Sequence, residues 1–413
     1  MRRTPTASAI TPSIDIETLN NLAEHSNAVV QQVRTSMLAP TARKTPPMFN
    51  TSQMAALCGL DISQVRYHSK KGELPNGDRD GSIRREWTLS ETRHWVSKFH
   101  AKDLRDPALA SACVITVANF KGGVSKTTTA AALAQGLSLR GHKILVIDTD
   151  PQGSLTTLFG VLPDTEVEEN KTILPLCTGD ETSIMKAIQK TYWDGVDLVA
   201  AAPLLFNAEF LLPSRQTREP DFKFWSVLDN GLDEARNEYD VIIIDTPPAL
   251  SYTTINALIA ADGVIMPLPP NALDFASSAQ FWNLFTDVVG GLFKHGDSNK
   301  KFSFLDVVLS RVDRSADSMS SAVREWIVSA YGSKVIPIEI PKTSIATASA
   351  AEFGTVYDMS RGSVNQRTLK RALDAYDQLV DYVASQIYGV WSHQADVVES
   401  YAAKAEINKG VDL

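Results

Sequence analysis

Cysteine is scarce in this chain of 413 residues, which contains only Cys58, Cys113 and Cys177. The three are far apart and odd in number, and they lack the paired spacing of a metal site or a disulfide framework. The sequence also lacks any apolar run near the roughly 18 residues that a membrane span needs, and the N-terminal MRRTPTASAITPS has no apolar segment behind its arginines. We therefore predict a cytoplasmic protein without disulfides, signal peptide or transmembrane helix.

Positive charge is not in excess, because 40 Lys and Arg face 48 Asp and Glu for a net charge of −8. A net negative charge argues against a protein that coats nucleic acid over its whole surface, but it does not exclude local basic patches. Apolar residues make up 44% of the sequence, which is enough for at least one large core. At roughly 100–200 residues per domain, we expect two or three domains.

An N-terminal helical arm is predicted over residues 1–43, which are rich in Ser, Thr and Ala. Apolar residues at loosely helical spacing indicate one exposed helix between Ile14 and Leu38. Its apolar stripe could pack against its own domain or pair with the same helix of a second chain. A linker follows the arm, marked by Pro40, Pro46 and Pro47.

A small helical domain is predicted next, over residues 44–106. Asn50 and Thr51 are candidate caps of a first helix that Gly59 ends, and a second helix begins near Asp61. A helix, a glycine turn and a helix of these lengths are typical of a helix-turn-helix. Residues 61–105 contain 10 Lys and Arg against 7 Asp and Glu, a local charge of +3 that indicates a polyanion partner.

We expect this domain to bind DNA through its second helix and the turn that follows. The helix would present its polar side chains to the major groove, and the turn would place basic side chains on phosphates. The residues concerned are Gln64, Arg66, Tyr67 and Lys70 in the helix, and Arg84 and Arg85 in the turn before a further helix from Ser90. The alternative is a helical appendage with a solvated basic face.

Beyond Pro107, short β-branched apolar runs alternate with helices. Nearly continuous Val and Ile runs are typical of a sheet that is buried on both faces, so residues 107–413 are predicted to be an α/β domain with a mostly parallel sheet. The predicted strands lie within residues 112–120, 143–150, 196–203, 239–248, 263–270, 304–312 and 334–341.

The first of these runs leads into a glycine loop and an alanine-rich helix, FKGGVSKTTTAAALAQGLSLRG. A strand, a glycine loop and a helix in this order form a P-loop, in which backbone amides and the helix N-terminus face phosphate groups. Lys126 would bind the terminal phosphates and Thr127 would bind Mg²⁺. The nucleotide-binding residues predicted from this loop are Gly122, Gly123, Val124, Ser125, Lys126, Thr127 and Thr128.

Aspartates close two further strands, which we expect to neighbour the glycine loop. Asp148 and Asp150 end one run in VIDTDPQGS, and Asp245 ends another in VIIIDTPP. At the carboxyl end of a parallel strand, an aspartate faces the ligand crevice and can hold Mg²⁺ or its waters. Each aspartate alone could instead cap a helix. A dinucleotide-binding dehydrogenase is disfavoured because the G-x-G-x-x-G pattern is absent.

The stretch from KGGVSKTTTAAALAQGLSLRG to VIDTDPQGS, with YDVIIIDTPPAL after it, resembles the ParA family of partition ATPases, which are deviant Walker ATPases like MinD. The resemblance covers most of residues 112–360. The helical arm and the helix-turn-helix resemble those of the longer plasmid ParA proteins. The resemblance implies a slow ATPase that uses ATP, ADP and Mg²⁺, and a homodimer that binds nonspecific DNA near the nucleoid when ATP is bound. It also implies stimulation of hydrolysis by a ParB-type centromere-binding partner, and operator binding with autorepression.

The resemblance also implies catalytic roles for Lys121, Lys126 and Asp150. Lys121 would cross to the nucleotide of the partner subunit, where a cation compensates developing charge. Asp150 would position the attacking water, and Asp148 and Asp245 would support Mg²⁺ through water, although Asp148 and Asp150 could exchange roles. Ser125 replaces the glycine of most family members and would cost about 1 kcal/mol or more if its φ must be positive.

A second, sequence-independent DNA contact is predicted near the C-terminus, where RGSVNQRTLKR contains no acidic residue. Its candidate residues are Lys342, Arg361, Arg367 and Lys370, with a solvated helix face as the alternative. A MinD-like membrane ATPase is disfavoured, because the tail has dispersed acidic residues and no strong apolar face. A nucleotide-regulated transcriptional repressor without a motor role remains open as a second function.

Overall fold

The computed structural model describes residues 14–37, 44–78, 85–292, 300–313, 318–342, 354–359 and 365–411. The chain divides into two compact units, residues 1–44 and 45–413. The first unit contains helix α1 (Ile16–Met37), which confirms the helix predicted between Ile14 and Leu38. The separate domain boundary predicted at residues 106 and 107 stays a prediction.

The second unit contains the remaining helices and all the strands of the described residues. The helices are α2 (Thr51–Cys58), α3 (Ile62–Lys71), α4 (Leu89–Phe99), α5 (Lys126–Ser138), α6 (Ser154–Leu158), α7 (Leu174–Thr178), α8 (Ala208–Arg218), α9 (Val227–Gly231), α10 (Asp233–Glu238), α11 (Tyr252–Ala260), α12 (Ala272–Leu292), α13 (Ser318–Tyr331) and α14 (Gln366–Val411). The strands are β1 (Phe49–Asn50), β2 (Glu86–Trp87), β3 (Cys113–Val117), β4 (Ile144–Asp148), β5 (Gln189–Lys190), β6 (Val196–Val199), β7 (Val241–Asp245), β8 (Gly263–Leu268), β9 (Phe304–Val312) and β10 (Val335–Pro341).

Helices α2, α3 and α4 form an N-terminal module with its own small core. Of the two candidate caps, Asn50 caps α2, whereas Thr51 is the first residue of that helix. The side chains of Asn50 and Asp61 accept backbone hydrogen bonds at the starts of α2 and α3, and Gly59 ends α2 in the left-handed conformation. Trp87 and Trp95 are buried in this core, and both indoles donate hydrogen bonds to the carbonyl oxygen of Pro75. The module therefore has a fixed frame around the exposed side of α3.

The large sheet has eight strands in the order β10-β9-β8-β3-β7-β4-β6-β5. All neighbours are parallel except the β5–β6 pair, which confirms the predicted mostly parallel sheet and all seven predicted strands. Strand β7, which ends in Asp245, lies beside β3, whereas β4, which ends in Asp148, lies one strand further away. Asp148 and Asp245 are nevertheless register partners at the end of adjacent strands.

Helices cover both faces of this sheet. Alternate strand residues pack against α5 and α14 on one face and against α7 to α11 on the other. Helices α5 and α14 approach so closely that a Cβ atom on Gly136 would lie 2.4 Å from a methyl group of Val380, so only glycine fits there. Helix α5 is thereby held rigidly, and its first residue is Lys126.

The N-terminal module is joined to the opposite end of α5 by Arg93 of α4. Its guanidinium group donates hydrogen bonds to the carbonyl oxygens of Ser138 at 3.0 Å and His142 at 2.9 Å, and it pairs with Asp194 at 2.9 Å. These carbonyls belong to the C-terminal end of α5 and the turn after it, where a cation is favoured by the helix dipole. The glycine-loop helix is therefore tied to the module that carries α3.

Helix α14 continues through the C-terminal tail to Val411. Within the residues that the structure describes, no helix combines the length and hydropathy required to cross a membrane.

Candidate functional site

The predicted glycine loop lies between β3 and α5, and two of its residues have positive φ. Gly123 has φ of 75° and Ser125 has φ of 78°, both in the left-handed region. Ser125 therefore has the conformation for which glycine is the unstrained residue, at an expense of order 1 kcal/mol. In the described part of the chain, the amides of residues 122–125 donate no hydrogen bond to the protein, so they are free to face an anion.

Lys126 lies at the base of this loop with 7% of its surface exposed. Its ammonium group donates a 3.0 Å hydrogen bond to the carbonyl oxygen of Lys121. Burial lowers the pKa of Lys126, while the carboxylates of Asp245 and Asp150 raise it and so favour the charged form. A partly desolvated cation is thus held under the loop, where it would attract a polyphosphate.

Asp245 at the end of β7 is fully buried, and neither of its carboxylate oxygens has a hydrogen-bond partner of normal geometry among the described residues. Burial, reinforced by the charge of Asp148, raises the pKa of Asp245 well above its ordinary value, whereas the Thr127 hydroxyl and Lys126 lower it. A buried carboxylate left unpaired is costly unless a cation compensates it. Mg²⁺ prefers carboxylate, hydroxyl and water oxygens, so Asp245 and Thr127 fit this ion.

Asp148, unlike Asp245, has hydrogen-bond partners for both of its carboxylate oxygens in the residues that follow it. One carboxylate oxygen accepts hydrogen bonds from the amide of Thr156 at 2.9 Å and its hydroxyl at 2.8 Å, and the other accepts from the amide of Asp150 at 3.1 Å. Burial raises the pKa of Asp148 to about 7. The Mg²⁺ role predicted for Asp148 therefore competes with its role in holding the Asp150 turn.

Asp150 is half-buried beyond the end of β4, and its carboxylate accepts a 3.0 Å hydrogen bond from the amide of Gln152. Its negative charge reaches Lys126, whose pKa it raises. The structure therefore brings Lys126, Asp148, Asp150 and Asp245 together at one edge of the sheet.

Lys121 at the start of the loop forms an ion pair with Asp274 of α12, with 3.0 Å between the ammonium nitrogen and a carboxylate oxygen. Asp274 was not among the residues predicted from the sequence. It follows shortly after β8, the other neighbour of β3, so its place near the carboxyl end of a parallel strand is the signal that could have identified it.

Two further residues at the end of β9 were also missed. The hydroxyl of Ser310 donates a 2.9 Å hydrogen bond to the carbonyl oxygen of Val124, and the guanidinium of Arg311 donates one of 2.6 Å to that of Gly123. No local sequence pattern indicates contacts between segments so far apart in the chain.

The predicted DNA-binding residues of the N-terminal module lie mostly on the exposed side of α3. Arg66, Tyr67 and Lys70 are exposed, while Val65 and Ser69 face the core. Gln64 is also exposed, but its side-chain oxygen accepts the amide of Asp61 at 2.9 Å, which leaves only its amide group for a base. Arg85 donates to the side chain of Asn76, and Arg84 lies outside the described residues.

The predicted C-terminal DNA contact coincides with a groove of about 600 Å³ between β10 and α14. Arg367, Lys370 and Arg371 line it, together with Glu339 and Asp374. Lys342 is not part of this lining, and its amide donates to the carbonyl oxygen of Val312 at 2.9 Å. Arg361 lies outside the described residues.

Comparison with known proteins connects this geometry to partition proteins. A profile of the AAA domain family matches residues 112–294. The chain is 27% identical to Protein SopA of Escherichia coli K12 over 402 residues, which are 93% of this chain and 95% of SopA. It is 31% identical to chromosome partitioning protein ParA of Caulobacter vibrioides over 249 residues, which are 60% of this chain and 87% of that protein.

Solved structures agree with this assignment. A partition protein covers 91% of this chain and 99% of its own with a TM-score of 0.60 at 20% identity, which shows a common fold. A cobyrinic acid a,c-diamide synthase from Mycobacterium smegmatis with bound ATP analogue and magnesium has a TM-score of 0.51 at 29% identity, covering 65% of this chain and 93% of its own. The similarity to Caulobacter ParA over most of that protein's length, with the glycine loop and strand-end aspartates described above, shows that this chain belongs to the ParA family of partition ATPases.

Proposed function

We propose that this protein uses ATP to partition DNA through a cycle of dimerisation on DNA and release. The ATP-bound homodimer binds nonspecific DNA of the nucleoid, and a ParB-type protein on the centromere stimulates hydrolysis and release. The observation that carries the proposal is the buried Asp245 carboxylate beside Thr127 and Lys126, whose oxygens have no hydrogen-bond partner of normal geometry among the described residues. That arrangement is destabilising unless Mg²⁺ and a nucleotide occupy the loop.

The proposal gives each residue of the site one role. The free amides of the glycine loop and Lys126 bind the phosphates, and Thr127 and Asp245 hold Mg²⁺, which neutralises charge on the phosphates when bound. Asp150 is half-buried at the same edge and orients the attacking water. Lys121 leaves Asp274 and reaches the nucleotide of the partner subunit.

Two DNA contacts serve different modes in this proposal. The groove lined by Arg367, Lys370 and Arg371 binds the backbone of nonspecific DNA. The exposed side of α3, with Arg66, Tyr67 and Lys70, reads an operator and represses the protein's own transcription. The nucleotide can select between these two modes only if it binds one conformation of the protein more tightly than the other.

Substitution of Lys126 or Asp150 by alanine separates the partition motor from a repressor that merely retains a nucleotide fold. For the motor, plasmid stability falls to that of an unpartitioned replicon, while operator binding in a gel-shift assay stays within about twofold of the wild type. Lys186→Ala is the matched control, because Lys186 is exposed and pairs with Glu181 away from the loop. Stable inheritance with both variants would support the repressor instead.

The DNA groove is tested by the salt dependence of nonspecific binding. Each phosphate contact that is lost should reduce the slope of log affinity against log salt concentration by about 0.9. We expect this for Arg367→Ala and Lys370→Ala with ATP and Mg²⁺ present. Unchanged affinity and slope would remove these residues from the DNA site.

A further inference from the structure

The last residues of β9 hold two successive carbonyl groups of the glycine loop. The Ser310 hydroxyl binds the carbonyl oxygen of Val124 at 2.9 Å, and the Arg311 guanidinium binds that of Gly123 at 2.6 Å. Strand β8 lies between β9 and β3, so these side chains reach the loop across a neighbouring strand.

Arg311 holds this contact with an unusual backbone. Its φ is 52°, and the only other non-glycine residue with positive φ among those described is Ser125, in the loop itself. A bulky side chain rarely adopts the left-handed region, and such strain persists where the surrounding structure requires it, most often at functional sites. Of these two residues, Ser125 belongs to the glycine loop and Arg311 contacts it.

The two contacts determine where the loop amides point. In a trans peptide the carbonyl oxygen and the amide hydrogen of the same unit point in opposite directions. The carbonyl of Gly123 shares its peptide unit with the amide of Val124, and no cis peptide occurs in the described chain. Holding the Gly123 carbonyl toward Arg311 therefore directs the Val124 amide away from β9, and Ser310 does the same for the Ser125 amide.

We propose that Arg311 is a positioning residue for nucleotide binding, which holds the Gly123 peptide so that the Val124 amide faces the phosphates of ATP. This inference rests on the proposed ATPase function and deepens it. Arg311 supplies a charge-assisted hydrogen bond, which is stronger than a neutral one, and it adds positive charge behind a loop that receives an anion. Its guanidinium is exposed, so it contributes little apolar burial to the fold.

Arg311→Gly separates positioning from structural support. Glycine adopts φ near +52° without strain, so the variant without nucleotide should melt at or above the temperature of the wild type. Its dissociation constant for Mg-ATP, measured by isothermal titration calorimetry, should rise about five- to tenfold. Arg311→Lys, which keeps the charge and a donor, should recover part of the lost affinity.

Kinetics provide the second readout. Amides that bind phosphate equally in the ground state and the transition state affect KM more than kcat. We therefore expect Arg311→Gly to raise KM for ATP, with kcat within about twofold of the wild type. Arg324→Ala is the matched control, because Arg324 is an arginine that pairs with Glu339.

Wild-type affinity and KM in Arg311→Gly would overturn the inference, as would a melting temperature and an affinity that fall together. Lys126→Ala distinguishes a failure of the positioning role from a failure of the proposed ATPase function. If the wild type binds Mg-ATP, Lys126→Ala does not, and Arg311→Gly binds normally, only the positioning role fails. If the wild type binds no Mg-ATP, both fail.

Discussion

Lys121 and Asp274 are joined by an ion pair of 3.0 Å between the first residues of the glycine loop and the first turn of α12. In the proposed function Lys121 reaches the nucleotide of a partner subunit, so this ion pair would have to open when the ATP-bound dimer forms. Asp274 would then compete with the phosphates for the same ammonium group.

Replacing Asp274 by asparagine should favour the ATP-bound dimer. The Lys121 side chain is 37% exposed, so solvent screening limits each pair to below about 1 kcal/mol. Because the homodimer contains two such pairs, the gain in dimer affinity is at most about thirtyfold. Sedimentation equilibrium with Mg²⁺ and a non-hydrolysable ATP analogue measures it, with Asp233→Asn as the control at an exposed ion pair. A weaker dimer in Asp274→Asn would show that the pair supports the dimer-competent loop instead.

Ser125→Gly should stabilise the protein, because Ser125 has φ of 78° and glycine relieves the strain. We expect a melting temperature about 1 °C higher by calorimetry, corresponding to a gain below about 1 kcal/mol. Ser125→Ala is the matched control, since it keeps the Cβ atom and should bring no gain. A lower melting temperature in Ser125→Gly would mean that the hydroxyl stabilises the loop.

Stability without nucleotide should fall as the pH rises. Burial raises the pKa of Asp148 from 3.8 to about 7, so between these values the folded chain binds more protons than the unfolded chain. The free energy of unfolding then decreases with rising pH across this window. Asp245, whose pKa is also raised, extends the decrease to higher pH.

Urea unfolding between about pH 5 and 8, without Mg²⁺, tests this sign. Asp245→Asn removes one buried carboxylate, so its free energy of unfolding should depend less on pH. Near neutral pH this variant should unfold at a higher urea concentration than the wild type. A wild-type profile that rises with pH would contradict the assigned protonation of both aspartates.

Arg93→Ala should loosen the N-terminal module from α5. The Arg93 side chain is 15% exposed and donates to the carbonyls of Ser138 and His142, so its loss leaves buried acceptors unpaired. We expect destabilisation of about 2 kcal/mol and a melting temperature lower by roughly 2 °C. Arg218→Ala is the control, because Arg218 is exposed and donates only within its own helix. Equal melting temperatures for the two variants would show that the Arg93 contacts do not stabilise the attachment of the N-terminal module to α5.

Local chemistry made much of this fold predictable from the sequence. The seven strands of the large sheet other than β5 were recognisable as β-branched runs, and Asn50, Gly59 and Asp61 marked helix ends because capping depends on a few neighbouring residues. The glycine loop and its strand-end aspartates were predictable because parallel strands bring their carboxyl ends to one edge.

Long-range contacts were not predictable in this way. Nothing near Arg311 in the sequence indicates that it binds Gly123, 188 residues away, and nothing near Asp148 reveals that Thr156 already satisfies it. Strand order likewise depends on packing of the whole sheet, which is why β7, and not β4, lies beside β3.

Isothermal titration of ATP with and without Mg²⁺ is the decisive experiment on the nucleotide site. We expect one ATP bound per chain, with binding that needs Mg²⁺ and is lost in both Lys126→Ala and Asp245→Ala. Circular dichroism shows whether each variant is folded. An absence of ATP binding to the wild type, or binding that is indifferent to Mg²⁺ and to Asp245, would contradict this expectation.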